Sequence, residues 1–415
     1  MMANSLDKQN SAAPAKHFMQ RALDLALLGR GWVNPNPLVG AVLVEDGRII
    51  GEGYHQRYGY PHAERNAIAA ALASGKDEAL TKATLYVTLE PCCHTGKTPP
   101  CTKAIIEHNI PRVVVGSKDP NPQVAGGGIA QLEAAGIEVI TGFMKEECDA
   151  LNQIFFHYIK HKTPYVLMKY AMTLDGKIAT RTGASKWITG SAARADVHRL
   201  RGCYAAILVG IDTVIADDPL LNCRAANAEA VLQEVAEQEL KAPSKHARRS
   251  MANAEAVAHD PLRVICDSSL RIPLNSQIVQ TASLYPTLVA TTVSSDTASK
   301  VQEAKIAQLL ALNCQVLTLP SKDNRLDLAV LMTELGKRSI DSVLIEGGAT
   351  INGSALEAGI VNKVRCYLAP KIFGGAKAPS PVGASGVALP GEAFCLKNIS
   401  FGALGEDLYI EGEVW

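Results

Sequence analysis

The chain has 415 residues, of which 47% are hydrophobic and 20% are charged, and its 41 basic residues balance 41 acidic ones. This length predicts two or three domains rather than one. With a formal net charge of zero, no global positive charge favours contact with a nucleic-acid backbone or an anionic membrane, and a local basic patch stays open. No run of about 18 consecutive apolar residues occurs, so we expect no transmembrane helix.

The N-terminal segment lacks the basic-then-apolar order of a secretory signal peptide. The ten cysteines are scattered from Cys92 to Cys395, and most of them lie in apolar or strand-like surroundings. Such a distribution is typical of reduced, buried cysteines and not of a disulfide framework. We therefore expect a cytoplasmic protein.

The first third of the chain alternates helical and strand patterns. Apolar spacing predicts a helix over about residues 18–28, and "AVLVEDGRIIGEGYH" predicts a hairpin that turns at Asp46-Gly47. An Ala-rich helix over about 63–73, the strand "ATLYVTLE", a helix that begins near Cys101 and the strand "RVVVGSKDP" follow. We expect these elements to form a mixed sheet flanked by helices.

A second α/β domain follows the first. The segment "KEECDALNQIFFHYIKHKTP" predicts a helix that carries the junction, and we place the two domains at residues 1–148 and 149–415. Strand patterns such as "AAILVG" and "SVLIEGG" then alternate with helical ones such as "SAARADVHRLRG". Residues 225–261 are rich in Ala, Glu and Lys without a strand pattern, which predicts an exposed helical insertion; an interaction role is the alternative.

Two motifs in the first domain place candidate metal ligands at predicted helix starts. "HAE" supplies His62 and Glu64, and "PCCHTGKTPPC" supplies Cys92 and Cys101. One imidazole and two thiolates can bind zinc and leave a fourth position for water. Zinc lowers the pKa of bound water to about 7, and a carboxylate that is not a ligand, such as Glu64, can move its protons.

The H-x-E and P-C elements match the zinc nucleobase deaminase pattern, although eight residues instead of two separate the cysteines. Two other interpretations stay open at this point. One is a closed structural zinc site with Cys93 or His94 as the fourth ligand, and the other is a group of buried thiols.

Polar residues follow predicted strands of the second domain. "SVLIEGG" runs into the helical pattern "GGATINGSALEAG", and glycines at such a junction let a phosphate approach the helix N-terminus. The pattern is not G-x-G-x-x-G, and a tight turn explains the glycine pair equally well. After "AAILVG" we expect Thr213, Asp217, Asp218 and Arg224 on one loop at the C-terminal end of the strand, where open α/β sheets bind ligands. Trp187 alone also suits core packing.

Together, these motifs resemble the bifunctional riboflavin-biosynthesis deaminase/reductase family. The resemblance rests on "NPNPLVG", "HAERNA" and "TLEPCCHTGKTPPC", whose cysteine spacing is the normal form in that family, and it continues over nearly the whole chain. It implies an α/β chain with an N-terminal cytidine-deaminase-like three-layer domain and a dihydrofolate-reductase-like domain that uses NADPH. It also implies a homo-oligomer, either a dimer or a larger assembly.

The resemblance further implies roles for individual residues. One zinc ion per chain would be bound by His62, Cys92 and Cys101, with Glu64 as the proton carrier. The residues implied to contact NADPH are Ala171, Trp187, Thr213, Asp217, Ser268, Gly348, Ala349, Thr350, Ile351, Asn352 and Gly353. The residues implied to contact a substrate are Asn36 and Lys97 in the first domain and Ser185, Arg201, Leu221, Arg224 and Glu346 in the second.

We therefore expect an enzyme of two steps. The first domain would deaminate a diaminopyrimidinone that carries a ribosylamino 5′-phosphate, and the second would reduce the ribosyl group of the product to ribityl with NADPH. The substrate, a small pyrimidine ribose phosphate, comes from the resemblance alone.

One alternative is a nucleic-acid or nucleoside deaminase fused to a nucleotide-binding domain, but a nucleic-acid enzyme would want a basic, aromatic-rich surface, and this neutral chain is 5% aromatic. Another is a non-catalytic zinc module with a nucleotide sensor, which would not need Glu64.

Overall fold

The structure, a computed structural model, describes residues 6–224, 260–293 and 299–415, with side chains described from residue 16. The chain divides into two compact units, Met1–His161 and Lys162–Trp415. The insertion that we predict over 225–261 lies outside the described residues except for its last two positions. No helix in the described ranges is both long enough and apolar enough to cross a membrane.

The first unit contains a five-stranded sheet in the order β2-β1-β3-β4-β5, antiparallel across β2-β1-β3 and parallel across β3-β4-β5. Its strands are β1 (Gly40–Glu45), β2 (Arg48–Tyr54), β3 (Thr84–Leu89), β4 (Arg112–Ser117) and β5 (Glu138–Thr141). Its helices are α1 (Leu6–Leu27), α2 (Ala63–Ala73), α3 (Asp77–Leu80), α4 (Cys101–Glu107), α5 (Gly127–Ala134), α6 (Lys145–Leu151) and α7 (Gln153–His161).

The central strands of this sheet are apolar at successive positions because both of their faces are buried. On β1, Ala41 and Leu43 join one core with α2 and α4, whereas Val42 and Val44 join a second core with α1. Successive side chains of a strand point to opposite faces, so a continuously apolar strand needs a cover on each side. Helices on both faces give the expected three layers.

The short-range predictions for this unit are confirmed. β1 and β2 form a hairpin in which Glu45 pairs with Arg48. Asp46 and Gly47 have φ values of 46° and 74°, the left-handed backbone that a two-residue turn of this kind requires. The predicted Ala-rich helix is α2, with the same limits.

The single helix that we predict before Pro164 is instead two helices, α6 and α7, which are separated by the buried Asn152. Oδ1 of Asn152 accepts a hydrogen bond from the backbone N–H of Leu38 at 2.9 Å, and Nδ2 donates to the carbonyl of Leu38 at 2.9 Å. This tertiary contact holds the "NPNPLVG" segment at the break between the helices. The junction that we place after residue 148 falls within α6, and the compact unit continues to His161.

The second unit contains, in its described part, a nine-stranded sheet in the order β10-β9-β8-β7-β13-β6-β14-β16-β15 and a small hairpin. The strands of the sheet are β6 (Tyr165–Thr173), β7 (Ala206–Gly210), β8 (Leu262–Cys266), β9 (Thr287–Thr291), β10 (Gln315–Thr318), β13 (Ser342–Ile345), β14 (Lys363–Ala369), β15 (Leu396–Leu404) and β16 (Asp407–Val414). The hairpin strands are β11 (Ser321–Lys322) and β12 (Arg325–Leu326). The helices are α8 (Ser191–Cys203), α9 (Ile211–Asp217), α10 (Gln277–Gln280), α11 (Lys300–Ala311), α12 (Leu328–Lys337) and α13 (Ala349–Glu357).

The seven strands from β10 to β14 in the sheet order are parallel. Of the described strands of this sheet only β16 runs in the opposite direction, because it pairs antiparallel with both β14 and β15. The carboxyl ends of the parallel strands therefore meet at a single edge. Ligands in open α/β sheets bind at that edge.

A buried ionic network fixes α8 to β14. Asp196 on α8 accepts hydrogen bonds from Arg365 Nη2 at 2.5 Å, from the Tyr367 hydroxyl at 2.6 Å and from Arg199 Nη2 at 2.8 Å. Asp196 and Arg365 are both buried. Removing one partner from such a network leaves the other charges uncompensated in a low-dielectric environment.

We expect Asp196→Ala to destabilise the second unit by about 3–5 kcal/mol, because two arginines would lose a buried counterion. Asp212→Ala is the matched control, since Asp212 pairs with Arg271 at the surface, where their side chains are 70% and 51% exposed. Thermal unfolding followed by circular dichroism should show a large drop in midpoint for the first variant and little change for the second. Equal midpoints would show that the network does not stabilise the unit.

Candidate active sites

Three side chains of the kinds that bind zinc converge between the starts of α2 and α4. The ligand atoms of His62, Cys92 and Cys101 all lie within 4.8 Å of one another. Nδ1 of His62 is 3.5 Å from the Sγ atom of each cysteine. His62 is the N-cap of α2 and Cys101 is the first residue of α4. One nitrogen and two sulfurs in this arrangement fit a zinc ion with an open position.

The surroundings of Cys92 favour its thiolate form. A hydrogen bond from the Cys101 thiol lowers the pKa of Cys92 to about 4, a hydrogen bond with His62 adds to this, and burial opposes it. The thiolate is the form of cysteine that binds zinc. Within the described ranges the cluster includes neither Cys93 nor His94. The Sγ atom of Cys93 lies instead 3.7 Å from the carbonyl of Gln123, so the closed four-ligand interpretation is not favoured.

Glu64 lies in the first turn of α2 beside the three predicted ligands and is only 3% exposed. Burial raises the pKa of Glu64 to about 7, the charge of Cys92 adds to the effect, and His62 opposes it. Its Oε2 atom has no hydrogen-bond partner among the described residues. A carboxyl group with a pKa near neutrality can both accept and donate a proton at physiological pH.

Asn36 and Lys97, the predicted substrate contacts, line the same cavity as Glu64. The ammonium of Lys97 lies 4.0 Å from the centre of the Tyr58 ring, which holds it by a cation–π contact. Nε2 of His55 is 3.1 Å from Nδ2 of Asn36, and Nδ1 of His55 is 3.3 Å from the carbonyl of Pro61. Because a carbonyl only accepts, Nδ1 of His55 carries the proton and Nε2 accepts from the Asn36 amide. The Oδ1 atom of Asn36 is thereby left for a ligand.

Sequence reasoning missed His55, and it also missed Glu90. The carboxylate of Glu90, at the end of β3, accepts hydrogen bonds from the four backbone N–H groups of Asp119, Gly126, Gly128 and Ile129. These hydrogen bonds hold residues 119–129, part of which line the cavity, against the end of β3. Cys92 follows this strand end. The signal for both residues was a polar side chain at the end of a strand, at "GYH" and at "TLEP".

In the second unit, the glycine pair after β13 lies against α9. Gly347 and Gly348 have φ values of 114° and 48°, and a Cβ atom on Gly348 would lie 3.2 Å from Oγ1 of Thr213. Gly348 is the N-cap of α13. The structure therefore brings Thr213 next to the predicted cofactor segment of residues 348–353.

Thr213 and Asp217 lie on the short helix α9, so our expectation that they share a loop with Arg224 was wrong for these two. The physical reason is that Ile211 and Val214 are both buried, and they draw the segment into a helical turn against the core.

The other predicted cofactor contacts lie on different elements. Ala171 is on β6, and Ser268 follows β8, where its Oγ atom accepts a hydrogen bond from the backbone N–H of Leu326 at 3.1 Å. Trp187 is 63% exposed, and the Arg194 guanidinium lies 4.7 Å from its ring. The core-packing interpretation of Trp187 is therefore wrong.

Two predicted contacts of different ligands adjoin each other. The hydroxyl of Ser185 donates a hydrogen bond to Oδ1 of Asp217 at 3.3 Å, and Nζ of Lys186 donates to the carbonyl of Asp217 at 3.5 Å. Ser185 is a predicted substrate contact and Asp217 a predicted cofactor contact. The structure therefore brings these two predicted contacts together.

Arg201 and Glu346 form a bidentate ion pair at the carboxyl edge of the sheet. Nε and Nη2 of Arg201 donate to the carboxylate oxygens of Glu346 at 2.6 and 2.8 Å. Lys169 on β6 lies nearby; burial lowers its pKa, the Glu346 charge opposes that effect, and the Arg201 charge adds to it. Sequence reasoning missed Lys169, although it is the single charged residue in the strand "YVLMKYAMT".

Arg224 lies on the same side of α8 as Arg201. Nη2 of Arg224 is 3.0 Å from Nε2 of His198, and Nη1 of Arg201 donates to the carbonyl of Asn222 at 3.1 Å. Leu221, which directly precedes Asn222 on this loop, is buried with a φ of 53°. The loop thus brings Leu221 and Arg224 to the Arg201–Glu346 pair.

Two family models match the chain. The one described as "Cytidine and deoxycytidylate deaminase zinc-binding region" matches residues 13–117. The one described as "RibD C-terminal domain" matches residues 164–409. The first match includes all three predicted zinc ligands and Glu64, and the second includes every predicted reductase contact.

Full-length relatives are similar to the chain over both units. The riboflavin biosynthesis protein RibD of Actinobacillus pleuropneumoniae is 50% identical over 394 residues, which cover 95% of this chain and 94% of the relative. The RibD protein of Escherichia coli (strain K12) is 40% identical over 359 residues, which cover 86% of this chain and 88% of the relative.

Solved structures agree with this assignment. Acinetobacter baumannii RibD (form 1) is 34% identical, with a TM-score of 0.78, and the match covers 98% of this chain and 100% of that one. A diaminohydroxyphosphoribosylaminopyrimidine deaminase/5-amino-6-(5-phosphoribosylamino)uracil reductase from Thermotoga maritima is 36% identical, with a TM-score of 0.76. That match covers 97% of this chain and 99% of the Thermotoga protein.

These similarities confirm the expected α/β fold and do not favour a nucleic-acid deaminase or a non-catalytic zinc module. They cover a zinc-binding deaminase unit and an NADPH-dependent reductase unit in one chain. The chain belongs to the RibD family of bifunctional deaminase/reductase enzymes of riboflavin biosynthesis.

Proposed function

We propose that the two units act in sequence on a pyrimidine that carries a ribose phosphate, the first by deamination and the second by reduction. The observation that carries this proposal is the convergence of His62, Cys92 and Cys101 beside Glu64, whose buried carboxyl has a free oxygen. The substrates are those for which the Thermotoga maritima relative, 36% identical to this chain, is named.

In the deamination, His62 Nδ1 and the Sγ atoms of Cys92 and Cys101 would hold zinc, which supplies an activated water near neutral pH. Glu64, beside these three residues, would take up a proton and deliver it to the departing amine. Its pKa of about 7 suits both transfers, because neither protonation state is strongly favoured at neutral pH.

Asn36 and Lys97 orient the pyrimidine in the cavity. The hydrogen bond with His55 directs the Asn36 amide N–H group away from the ligand, so Asn36 offers its carbonyl oxygen to a donor on the substrate. Lys97 provides a cation for the ribose phosphate, and the Tyr58 ring keeps it at the cavity.

In the reduction, NADPH supplies the hydride, and the protein supplies placement and charge. Thr213, Asp217, Ser268 and the segment 348–353 hold the cofactor at the carboxyl edge of the sheet, with Ala171 and Trp187. Ser185, Arg201, Leu221, Arg224 and Glu346 hold the substrate. Lys169 is the group proposed to supply the proton that accompanies the hydride, because burial lowers its pKa and eases loss of that proton, whereas Glu346 is held as a carboxylate by Arg201.

A second copy of the chain is the proposed partner of the β15–β16 end of the sheet. β15 is the last strand in the sheet order, and no described strand pairs with its outer edge. Phe401 on β15 and the C-terminal Trp415 are 76% and 73% exposed. An unpaired edge with large exposed apolar side chains is typical of an interface, which supports a homo-oligomer.

All ten cysteines are free thiols. A reducing compartment keeps such thiols from pairing, and two of them are the predicted zinc ligands. This supports the cytoplasm as the location of the enzyme.

The zinc ligands can be distinguished from their neighbour by substitution. We expect Cys92→Ser and Cys101→Ser to lose bound zinc, because a serine hydroxyl is a poor substitute for a thiolate. Cys93→Ser is the matched control and should keep one zinc ion per chain, since its Sγ atom points to Gln123. Metal analysis of the purified proteins measures this, and equal zinc contents in all three variants would contradict the assignment.

The two activities should separate at Glu64. We expect Glu64→Gln to reduce deamination about 10²- to 10⁴-fold, the usual cost of removing a positioned acid or base. Zinc content and NADPH oxidation with the deaminated substrate should stay unchanged. Glu78→Gln, on the short helix α3, is the control. Ammonia release and NADPH absorbance report the two steps separately, and loss of both together would contradict the two-site proposal.

The two arginines should differ in effect. We expect Arg224→Ala to lower kcat/KM for the pyrimidine reduction about 10- to 150-fold, through loss of a charge-assisted hydrogen bond. Arg201→Ala should cost more, because it also leaves Glu346 buried without its counterion. NADPH affinity should change little in both.

Asp217→Ala should show the opposite pattern and weaken NADPH binding more than pyrimidine use. Steady-state kinetics with a fluorescence titration of NADPH measures both quantities. If the arginine variants lost NADPH binding while Asp217→Ala kept it, the two ligands would be assigned the wrong way round.

A further inference from the structure

Helix α8 presents two faces with different tasks. Asp196 and Arg199 bind to each other, and Asp196 also binds Arg365, which fixes one face to β14. His198 and Arg201 lie three residues apart, on a common face of the helix. That second face contacts the loop of Asn222 and Arg224 and the Glu346 carboxylate.

The contact between His198 and Arg224 defines the state of the imidazole. Nη2 of Arg224 lies 3.0 Å from Nε2 of His198. A guanidinium group can only donate, so Nε2 is the acceptor and the ring is neutral with its proton on Nδ1. Nδ1 is buried and makes no hydrogen bond of good geometry within the described ranges, although the backbone of Asn222 lies close enough to favour the protonated ring.

The charges around His198 explain why its ring is neutral. The pKa of His198 is lowered to about 4. Burial is the largest cause, and the charges of Arg201 and Arg224 act in the same direction. Glu346 and the backbone of Asn222 act in the opposite direction. Glu346 is already bound to Arg201 through both of its oxygens. Among the described residues no carboxylate lies within ion-pair distance of Arg224, so Arg224 has a neutral histidine where an anion would fit.

We propose that His198 is a third binding group for the substrate phosphate and takes up a proton from solvent when the phosphate binds beside Arg224 and Arg201. This inference rests on the proposed reductase function and deepens it. A phosphate within about 4–6 Å favours the charged form of an imidazole. Nε2 then carries a proton and donates to a phosphate oxygen, while Arg224 turns its donors from the imidazole to the phosphate.

Proton uptake distinguishes this role from a structural one. Ribose 5-phosphate is the probe, titrated calorimetrically into the full-length, zinc-loaded protein at pH 7.5 in two buffers of different ionisation enthalpy. We expect the wild-type protein to take up a substantial fraction of a proton per bound phosphate. His198→Gln should bind about 10- to 100-fold more weakly, because it loses a charge-assisted hydrogen bond, and should lose the proton uptake.

Matched variants define the site of binding. The reference protein and every variant in this comparison also carry Lys97→Gln, so that the cavity of the first unit contributes little phosphate binding. His161→Gln changes an exposed histidine of the first unit and should keep the wild-type affinity and proton uptake. Arg224→Gln should weaken the proton-linked binding, since it removes the cation that adjoins His198.

The outcomes distinguish the role of His198 from the proposed reductase site. Unchanged proton uptake in His198→Gln, with Arg224→Gln still impaired, overturns the role of His198 and leaves the proposed reductase site intact. Binding that is unaffected by Arg224→Gln overturns both. If His198→Gln does not fold, as judged by its NADPH affinity and thermal unfolding, histidine NMR signals of the wild-type protein decide. The NMR signals of one imidazole must move to the chemical shifts of the protonated form when ribose 5-phosphate is added at pH 7.5. The absence of such a change overturns the inference.

Discussion

Both units depend on sheets whose central strands are covered on two faces, and this constraint decides where polar chemistry can occur. A strand such as β1 packs alternate residues into opposite cores, so an uncompensated charge in its middle would be costly. In the first unit the ionisable groups of the candidate site consequently lie at strand ends and at helix starts. Lys169 in the middle of β6 and Arg365 within β14 are exceptions in the second unit. Glu90 after β3 and Glu346 after β13 occupy equivalent positions in two unrelated sheets. The candidate sites lie where the fold permits charge.

Buried charged groups among the described residues differ in how far their surroundings compensate them. Asp196 and Glu90 are fully compensated, the first by Arg365, Arg199 and Tyr367, and the second by four backbone N–H groups. Glu64 is compensated less, since its Oε2 atom has no hydrogen-bond partner among the described residues. Burial shifts the pKa of Glu64 and of Lys169 toward the neutral form. Groups with such shifts are typical of sites where a proton is held or moved, which is the role proposed for both.

The extent of agreement between sequence and structure follows from how local each signal was. The β1–β2 turn and the limits of α2 depend on neighbouring residues, and both are as predicted. The convergence of His62 and Cys101 could be anticipated because each sits at a helix start. The break at Asn152 and the Arg201–Glu346 pair depend on partners 114 and 145 residues away, which no short pattern specifies. The tautomer of His55 likewise needs the carbonyl of Pro61 and the amide of Asn36 in three dimensions.

The two faces of α8 suit the proposed phosphate site, because they would let it exist before the phosphate binds. Arg201 and Arg224 are like charges near a histidine, and their mutual repulsion would push apart segments that are not anchored. Two sets of contacts oppose this repulsion. Glu346 neutralises Arg201 through both oxygens, and the Asp196 network on the opposite face anchors the helix to β14. Arg224, which extends from a loop to the His198 ring, can turn toward a ligand. In the proposed site a phosphate would contact Arg201, which Glu346 holds in place, and Arg224, which would reorient. Because only one of the two side chains has to be ordered on binding, the entropic cost of binding is lower.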